Sequence, residues 1–332
     1  MLEISGLTKY YGDKAAIEDI SFQVSQGEVV GFLGANGAGK STTMNIITGY
    51  LSATKGTVKV DGFDILFEPA KAKARMGYLP EIPPLYQDLS VWESLCFTYD
   101  LKKAKQDRKK YLENLCEMVC IDGVKDRLIR NLSKGYRQRV GIACALVGEP
   151  PILIFDEPTV GLDPKQIIEI RTLIKELAKT RTVILSSHIL QEIEAVCGRV
   201  MIIHNGHIVA DDTPEALAAR QTGGGHLALQ VKGEPDKVCA LLKGVPGVQN
   251  VEAEKKCGEN IWRYLLNTGG EDIREALFYV LSDHKLPILE LQDRRATLED
   301  VFLSVTRETG IETDGLEKET ETEGGDPNGS NL

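Results

Sequence analysis

The chain has 332 residues, 27% of them charged, and a net charge of −10 at pH 7. That length suits one large domain with a small one, or two of ordinary size, and the apolar content is enough for a packed core. No apolar run approaches the ~18 residues that a membrane span needs, and no basic stripe reads as a nucleic-acid footprint. The opening Met1-Leu-Glu-Ile-Ser5 lacks the basic and apolar regions of a secretory signal, so a cytoplasmic chain is expected, with any membrane role left to a partner. The charge is uneven: residues 311–332 hold seven acids and one lysine, which places −6 of the total there. With almost no large apolar residue, that tail is expected to be disordered.

Residues 1–28 read as antiparallel strands, Leu2–Ser5 and then Ala15–Val24 with partial alternation. Tyr10 and Tyr11 precede a turn at Gly12. Such an aromatic can stack on a purine ring, and it can equally pack on a sheet. An apolar run, Val29–Leu33, then leads into Gly34-Ala-Asn-Gly-Ala-Gly-Lys-Ser-Thr42, and helical spacing follows to Ile47. Strand, G-x-x-x-x-G-K-[ST] loop and helix are the context of a phosphate loop. Gly34, Gly37 and Gly39 let the backbone approach an anion closely. The loop's N–H groups and the helix N-terminus then face a phosphate. Lys40 reaches the β- and γ-phosphates, the Ser41 hydroxyl binds Mg²⁺, and Thr42 adds a donor.

Gly56–Val60 reads as another strand before the Asp61-Gly62 turn. Residues 87–130 change character: Ser90-Val-Trp-Glu93 is a capping box, and Lys/Glu-rich helical spacing follows, as in a helical insertion. Cys116 and Cys120 are expected to share a helix face as packing residues, among seven reduced and mostly buried thiols. Asn131–Tyr136 opens a further helix with Ser133 at its N-terminus. Pro151–Glu157 is a buried strand ending in two acids, where ligands bind in open α/β sheets. Asp156 would hold Mg²⁺ and Glu157 would polarise water; both can also simply end the strand. Asp163 and Pro164 are the N-cap and first residue of a helix over Lys165–Lys179. His188 follows a buried strand, Thr182–Ser186, and is read either as a γ-phosphate contact or as a satisfied loop histidine.

Val200–Ile203 and His207–Ala210 flank Asn205-Gly206, a hairpin signal. Gly223-Gly-Gly225 marks a break. Beyond it, strands at His226–Val231, Val248–Ala253, Trp262–Leu266 and Ile288–Gln292 and helices at Asp236–Leu242 and Ile273–Asp283 give the order βαββαβ, as in a ferredoxin-like fold. Thr297–Phe302 starts a last helix.

The phosphate loop, Leu132-Ser-Lys-Gly-Tyr136, Ile152–Glu157, Gly161-Leu-Asp163 and His188 resemble, in order and spacing, an ABC-transporter ATP-binding subunit over about residues 1–215. The resemblance is greatest to the single-cassette, ABC-2-like export branch that includes multidrug and gliding-motility ATPases. Its members often end a small C-terminal domain in a run like Thr297-Leu-Glu-Asp-Val-Phe302. The implied fold is α/β: a P-loop cassette over residues 1–220 with an antiparallel β subdomain and a helical insertion at about 87–140. A ferredoxin-like accessory domain at 226–306 and the acidic tail at 311–332 complete the expected organisation.

By that resemblance Tyr11 stacks on adenine, and Gly34, Asn36, Gly37, Gly39, Lys40, Ser41 and Thr42 contact the ATP phosphates. Ser41, Asp156 and Glu81 attend Mg²⁺, Glu157 is the general base, and His188 is the switch histidine. Ser133 and Gly135 belong to the signature that reaches the γ-phosphate of the opposite subunit, and Asp163 to the loop that crosses the interface. Two positions depart from the common pattern: Glu81 replaces glutamine, and Lys134 and Tyr136 replace glycine and glutamine in the signature. The implied protein is an ATPase. Two cassettes, expected as a homodimer, sandwich two Mg-ATP molecules and drive a separate transmembrane permease docked near Glu81–Trp92. The alternative is a soluble ABC ATPase of translation, DNA repair or cluster assembly. One cassette, no long heptad run and no basic patch weigh against it. The accessory domain reads as regulatory or dimer-stabilising.

Overall fold

The computed structural model describes residues 1–222, 226–269, 271–294, 298, 299, 301 and 302. The expected disordered tail lies outside these residues. Two long strands open the chain, β1 (Leu2–Tyr11) and β2 (Lys14–Val24), followed by β3 (Val29–Leu33) and α1 (Lys40–Ile47). Next come β4 (Lys55–Val60), β5 (Phe63–Asp64), α2 (Pro69–Ala74) and β6 (Met76–Leu79). The helical stretch holds α3 (Val91–Lys102), α4 (Arg108–Met118) and α5 (Lys134–Leu146). The chain continues with β7 (Ile152–Asp156), α6 (Pro164–Ala178), β8 (Thr182–Ser187), α7 (Leu190–Val196), β9 (Arg199–His204), β10 (His207–Asp212) and α8 (Pro214–Thr222). It closes with β11 (His226–Lys232), α9 (Pro235–Lys243), β12 (Asn250–Gly258), β13 (Ile261–Asn267), α10 (Arg274–Asp283) and β14 (Ile288–Arg294).

The central sheet runs β10-β9-β3-β8-β7-β6, parallel except for the edge strand β10. Every residue of β7 and β8 is buried, which is why both read as unbroken apolar runs. Successive residues point to opposite faces, and each face has its own core. Val30, Phe32, Ile152 and Ile154 join the core under the antiparallel sheet β2-β1-β4-β5. Leu33, Leu153 and Phe155 join the core under the helical stretch. That stretch docks tightly on the sheet: a Cβ at Gly77 of β6 would fall 2.2 Å from the Ala145 carbonyl of α5.

The third sheet, β12-β13-β11-β14, is wholly antiparallel and carries α9 and α10 over a separate core. Its connectivity is the βαββαβ order of a ferredoxin-like unit. The chain then returns: Leu298 and Val301 are buried in the cassette core that also holds Ile170, Ile174 and Ile193, not in the accessory core. Of the run at 297–302, Leu298 and Val301 thus serve as core residues, while Thr297 and Asp300 lie outside the described residues.

Several expectations shift. The first strand extends past Ser5 to Tyr11, with Gly6 in a left-handed conformation where the pairing register slips. Helices α2, α7 and α8 were not read from the sequence, being short or weakly patterned. Cys116 is buried, but Cys120 lies beyond the end of α4 at φ +57° and is exposed, so the two do not share a helix face. Nor are the thiols mostly buried: two are buried, three half-buried and two exposed.

Candidate nucleotide site

The parallel strands β3, β7 and β8 all end at one edge, and each delivers a functional segment there. β3 leads into the phosphate loop, and its glycines serve two distinct needs. Gly37 (φ +81°) and Gly39 (φ +113°) occupy conformations that L side chains rarely adopt. Gly34 is instead required by close packing, since a Cβ there would fall 2.6 Å from the Ile203 carbonyl. The loop is braced from outside by the Asn205-Gly206 turn, whose residues both have positive φ. Gly206 N–H donates to the Ala38 carbonyl at 3.0 Å.

The loop encloses a cavity of about 520 Å³ lined by Ala16, Asn36, Gly37, Gly39, Lys40, Ser41, Thr42, Glu81, Glu157, Val160 and His188. Lys40 is buried; its ammonium donates to the carbonyls of Gly34 (2.7 Å) and Ala35 (3.2 Å) and stands 3.3 Å from Glu157 Oε1. On the other carboxylate oxygen, Glu157 Oε2 lies 2.8 Å from His188 Nδ1. One buried carboxylate is therefore held between an ammonium and an imidazole at the cavity wall.

Glu157 sits at φ +48°, an uncommon conformation for a non-glycine residue and a cost of about 1–3 kcal/mol. The conformation is held by Ser186: its carbonyl and its Oγ both lie 3.1 Å from the Glu157 N–H and accept from it. Ser186 Oγ also donates to Asp156, tying the two acids to β8. Burial pushes the Asp156 carboxyl above the ordinary range, and the neighbouring charges of Glu157 and Glu81 push the same way. Hydrogen bonds from Ser186 and Ser41 oppose that rise. Asp156 is thus a dry acid with a serine hydroxyl beside it, a setting in which a cation would restore the ionised form. Ser41 and Glu81 line the cavity, and Asp156 adjoins it through Ser41. These are oxygen donors, and no cluster of three His, Cys, Asp or Glu occurs among the described residues. That set fits Mg²⁺, which uses one or two carboxylates together with phosphate oxygens rather than an all-protein cage.

The remaining sequence-read residues lie elsewhere. Tyr11, 54% exposed at the tip of the β1–β2 hairpin, is not among the cavity-lining residues; its ring carries the Lys9 ammonium at 5.5 Å. Ser133 caps α5 by accepting from the Tyr136 N–H, and neither it nor Gly135 lines the phosphate-loop cavity. Gly135 instead packs on Gln166, the residue whose N–H Asp163 caps at 2.9 Å. Signature and Asp163 loop therefore form one neighbouring surface. Two contributors escaped the sequence reading. Ser186 had a signal, a hydroxyl at the end of an otherwise apolar strand; the bracing role of Gly206 depends on a long-range contact that no local pattern carries.

Residues 17–160 match the family model described as ABC transporter. The linearmycin resistance ATP-binding protein of Bacillus subtilis is 34% identical over 316 residues, covering 93% of this chain and 99% of that protein. The Nod factor export ATP-binding protein I of Rhizobium meliloti is 32% identical over 310 residues, covering 92% of this chain and 88% of that one. Among solved structures, a dimeric ATP-binding cassette in a post-hydrolysis state with ADP and Pi superposes with a TM-score of 0.59 at 26% identity. That match spans 64% of this chain and 98% of the other.

Proposed function

The chain belongs to the ATP-binding, ATP-hydrolysing subunits of ABC transporters, and from that premise we propose that two copies enclose two Mg-ATP molecules and drive a separate transmembrane partner in export. The soluble alternative is not favoured by these relatives, which are named for resistance and export. Those names also support the outward direction. No described helix is long and apolar enough to cross a membrane. In this proposal the membrane path belongs to the partner, on whose cytoplasmic side the chain works.

The observation that carries the sandwich is the separation of Ser133 and Gly135 from the cavity that holds Lys40, Glu157 and His188. Ser133 heads a helix whose N-terminal end favours an anion. A signature that does not reach its own phosphate loop acts by meeting the loop of a second copy. Asp163, beside Gly135 through Gln166, would lie at the same contact.

Within each site, the backbone of Gly34–Gly39 and the Lys40 ammonium bind and orient the phosphates, with Asn36, Ser41 and Thr42 as further donors. Asp156, Ser41 and Glu81 would hold Mg²⁺, which supplies charge neutralisation at the phosphate oxygens. Glu157 accepts the proton of the attacking water. His188, bonded to Glu157 Oε2, orients that carboxylate and turns its other face to the γ-phosphate. Little covalent chemistry is needed; positioning and charge stabilisation supply the rate. Tyr11 is placed by the reading on the adenine, which requires the hairpin tip to meet the ring as it binds.

The partner docks near Glu81–Trp92. Tyr50, Ile82, Tyr86, Phe97 and Leu101 are exposed, and most of them rim a groove of about 440 Å³ between the parallel sheet and α3. Residues 1–220 form the cassette, and the accessory domain, which stabilises the dimer or regulates it, spans 226–294 rather than the expected 226–306, because Leu298 and Val301 are buried in the cassette core.

Complementation tests the composite site. Lys40→Ala and Ser133→Ala should each be inactive alone. Mixed, they should regain part of the wild-type rate, because about half of the dimers formed by random mixing are mixed, and every mixed dimer has both lesions in one site and leaves the other intact. No recovery on mixing, with the mixed dimer demonstrably formed, would refute the cross-subunit signature.

A further inference from the structure

Glu192 is a buried carboxyl that none of this phosphate chemistry uses. It lies on α7, one turn after His188, and is 2% exposed. Its Oε2 accepts a hydrogen bond from Ser187 Oγ at 2.9 Å, and the same Oγ accepts from the Ile189 N–H at 3.0 Å. The two bonds bracket His188, since Ser187 precedes it and Ile189 follows it. They fix the turn from which the imidazole reaches Glu157.

Packing alone does not call for an acid here. α7 is pressed on the phosphate-loop strand β3 by Ile193 and Cys197, which fill the space left by Gly31. The second oxygen of Glu192 points elsewhere. Oε1 faces a guanidinium nitrogen of Arg171 on α6 at 3.9 Å, too long for a hydrogen bond. Among the described residues, neither Glu192 Oε1 nor Arg171 Nε has a hydrogen-bond partner. Leaving these two shielded atoms without a partner costs stability, yet a relative movement of roughly 1 Å would bring Oε1 and the facing Arg171 Nη2 into charge-assisted range. The helix carrying Arg171 is the one that begins at Asp163.

We propose that Glu192 is a positioning residue for hydrolysis: its bond to Ser187 sets the turn that aims His188 at Glu157, and its pairing with Arg171 ties that turn to the helix headed by Asp163. This rests on the reading of His188 and Glu157 as groups that act at the γ-phosphate. A displacement of the Asp163 helix as two copies meet would then tighten the Arg171 pair and settle the histidine turn.

The test is steady-state ATP hydrolysis by the purified full chain, with nucleotide affinity read separately by a fluorescent ATP analogue. Glu192→Ala should lower kcat by about tenfold, as loss of an orienting partner does, and leave KM and nucleotide affinity unchanged. Glu192→Gln keeps an acceptor for Ser187 and should lose less. Arg171→Gln should match it, and the double variant should be no worse than either. If Glu192→Ala melts below the assay temperature, Ser187→Ala replaces it, with the same expected kcat loss at constant KM. His188→Ala runs in parallel. A slow His188→Ala with Glu192→Ala (or Ser187→Ala) at the wild-type rate would overturn the positioning role alone. A combined loss of affinity and rate in that variant would reduce Glu192 to a structural residue. Normal turnover by His188→Ala would overturn the premise instead.

Discussion

Lys40 and Glu157 form an ion pair at 3.3 Å, with both side chains almost wholly buried at the wall of the phosphate-loop cavity. The lysine that must meet a phosphate thus rests on the acid that must meet water. Each partner lowers the cost of burying the other. When phosphate arrives, the ammonium has a stronger anion to join, and Glu157 keeps only His188. Removing Lys40 leaves Glu157 buried beside the imidazole alone. Lys40→Met should therefore abolish nucleotide binding and also lower unfolding stability by about 3 kcal/mol. Denaturant titration measures this; unchanged stability would mean that His188 alone compensates the acid.

The return of the chain to the cassette at Leu298 and Val301 predicts that a distant substitution weakens the ATP-binding unit. Leu298→Ala removes a buried side chain from the cassette core and should cost about 2–4 kcal/mol. The melting transition to watch is the one that Mg-ATP shifts upward. If only an ATP-insensitive transition moved, Leu298 would belong to the accessory unit.

Thiol reactivity separates the cysteines. Burial pushes the Cys116 thiol up to about 11 and the Cys197 thiol up to about 12, so neither holds appreciable thiolate near pH 7.5. Cys120 and Cys257 are exposed. A maleimide should label those two within minutes in the native protein and reach Cys116 and Cys197 only on unfolding, as peptide mapping would show.

In the accessory unit, Tyr264 is fully buried, and its hydroxyl has no hydrogen-bond partner among the described residues. Tyr264→Phe removes that unsatisfied group and should leave stability unchanged or raise it by about 1 kcal/mol. Burial also pushes the phenol up to about 12, above its ordinary 10. The unfolded chain then releases this proton first, so the phenol's contribution is intact below about 10 and is lost as pH rises toward 12. The wild type should lose stability across that window, and the Phe variant should lose less. Equal losses would mean that the phenol is not shielded.

Much of the site was legible because its demands are local. A phosphate loop needs positive-φ glycines, a lysine and a hydroxyl within nine residues, and Gly34–Thr42 provides them. The buried acid pair announced itself as charge at the end of an apolar strand, and the caps at Ser90, Ser133 and Asp163 form as their side-chain chemistry requires. What stayed hidden depends on contacts distant in sequence. Gly206 braces a loop some 170 residues earlier (its N–H on the Ala38 carbonyl), and Ser186 fixes the strained backbone of Glu157. Cys120 was misplaced because α4 ends at Met118 with no glycine or proline to signal it, although Cys120 itself takes the left-handed turn.

The central claim is that ATP joins two copies of this chain through Glu157-bearing sites. Light scattering of purified Glu157→Gln protein, with and without Mg-ATP, tests it directly. With the carboxylate replaced, nucleotide should bind and turnover should nearly cease, so the mass should double when Mg-ATP is present and revert when it is removed. A monomer in both conditions, with ATP bound, would contradict the sandwich.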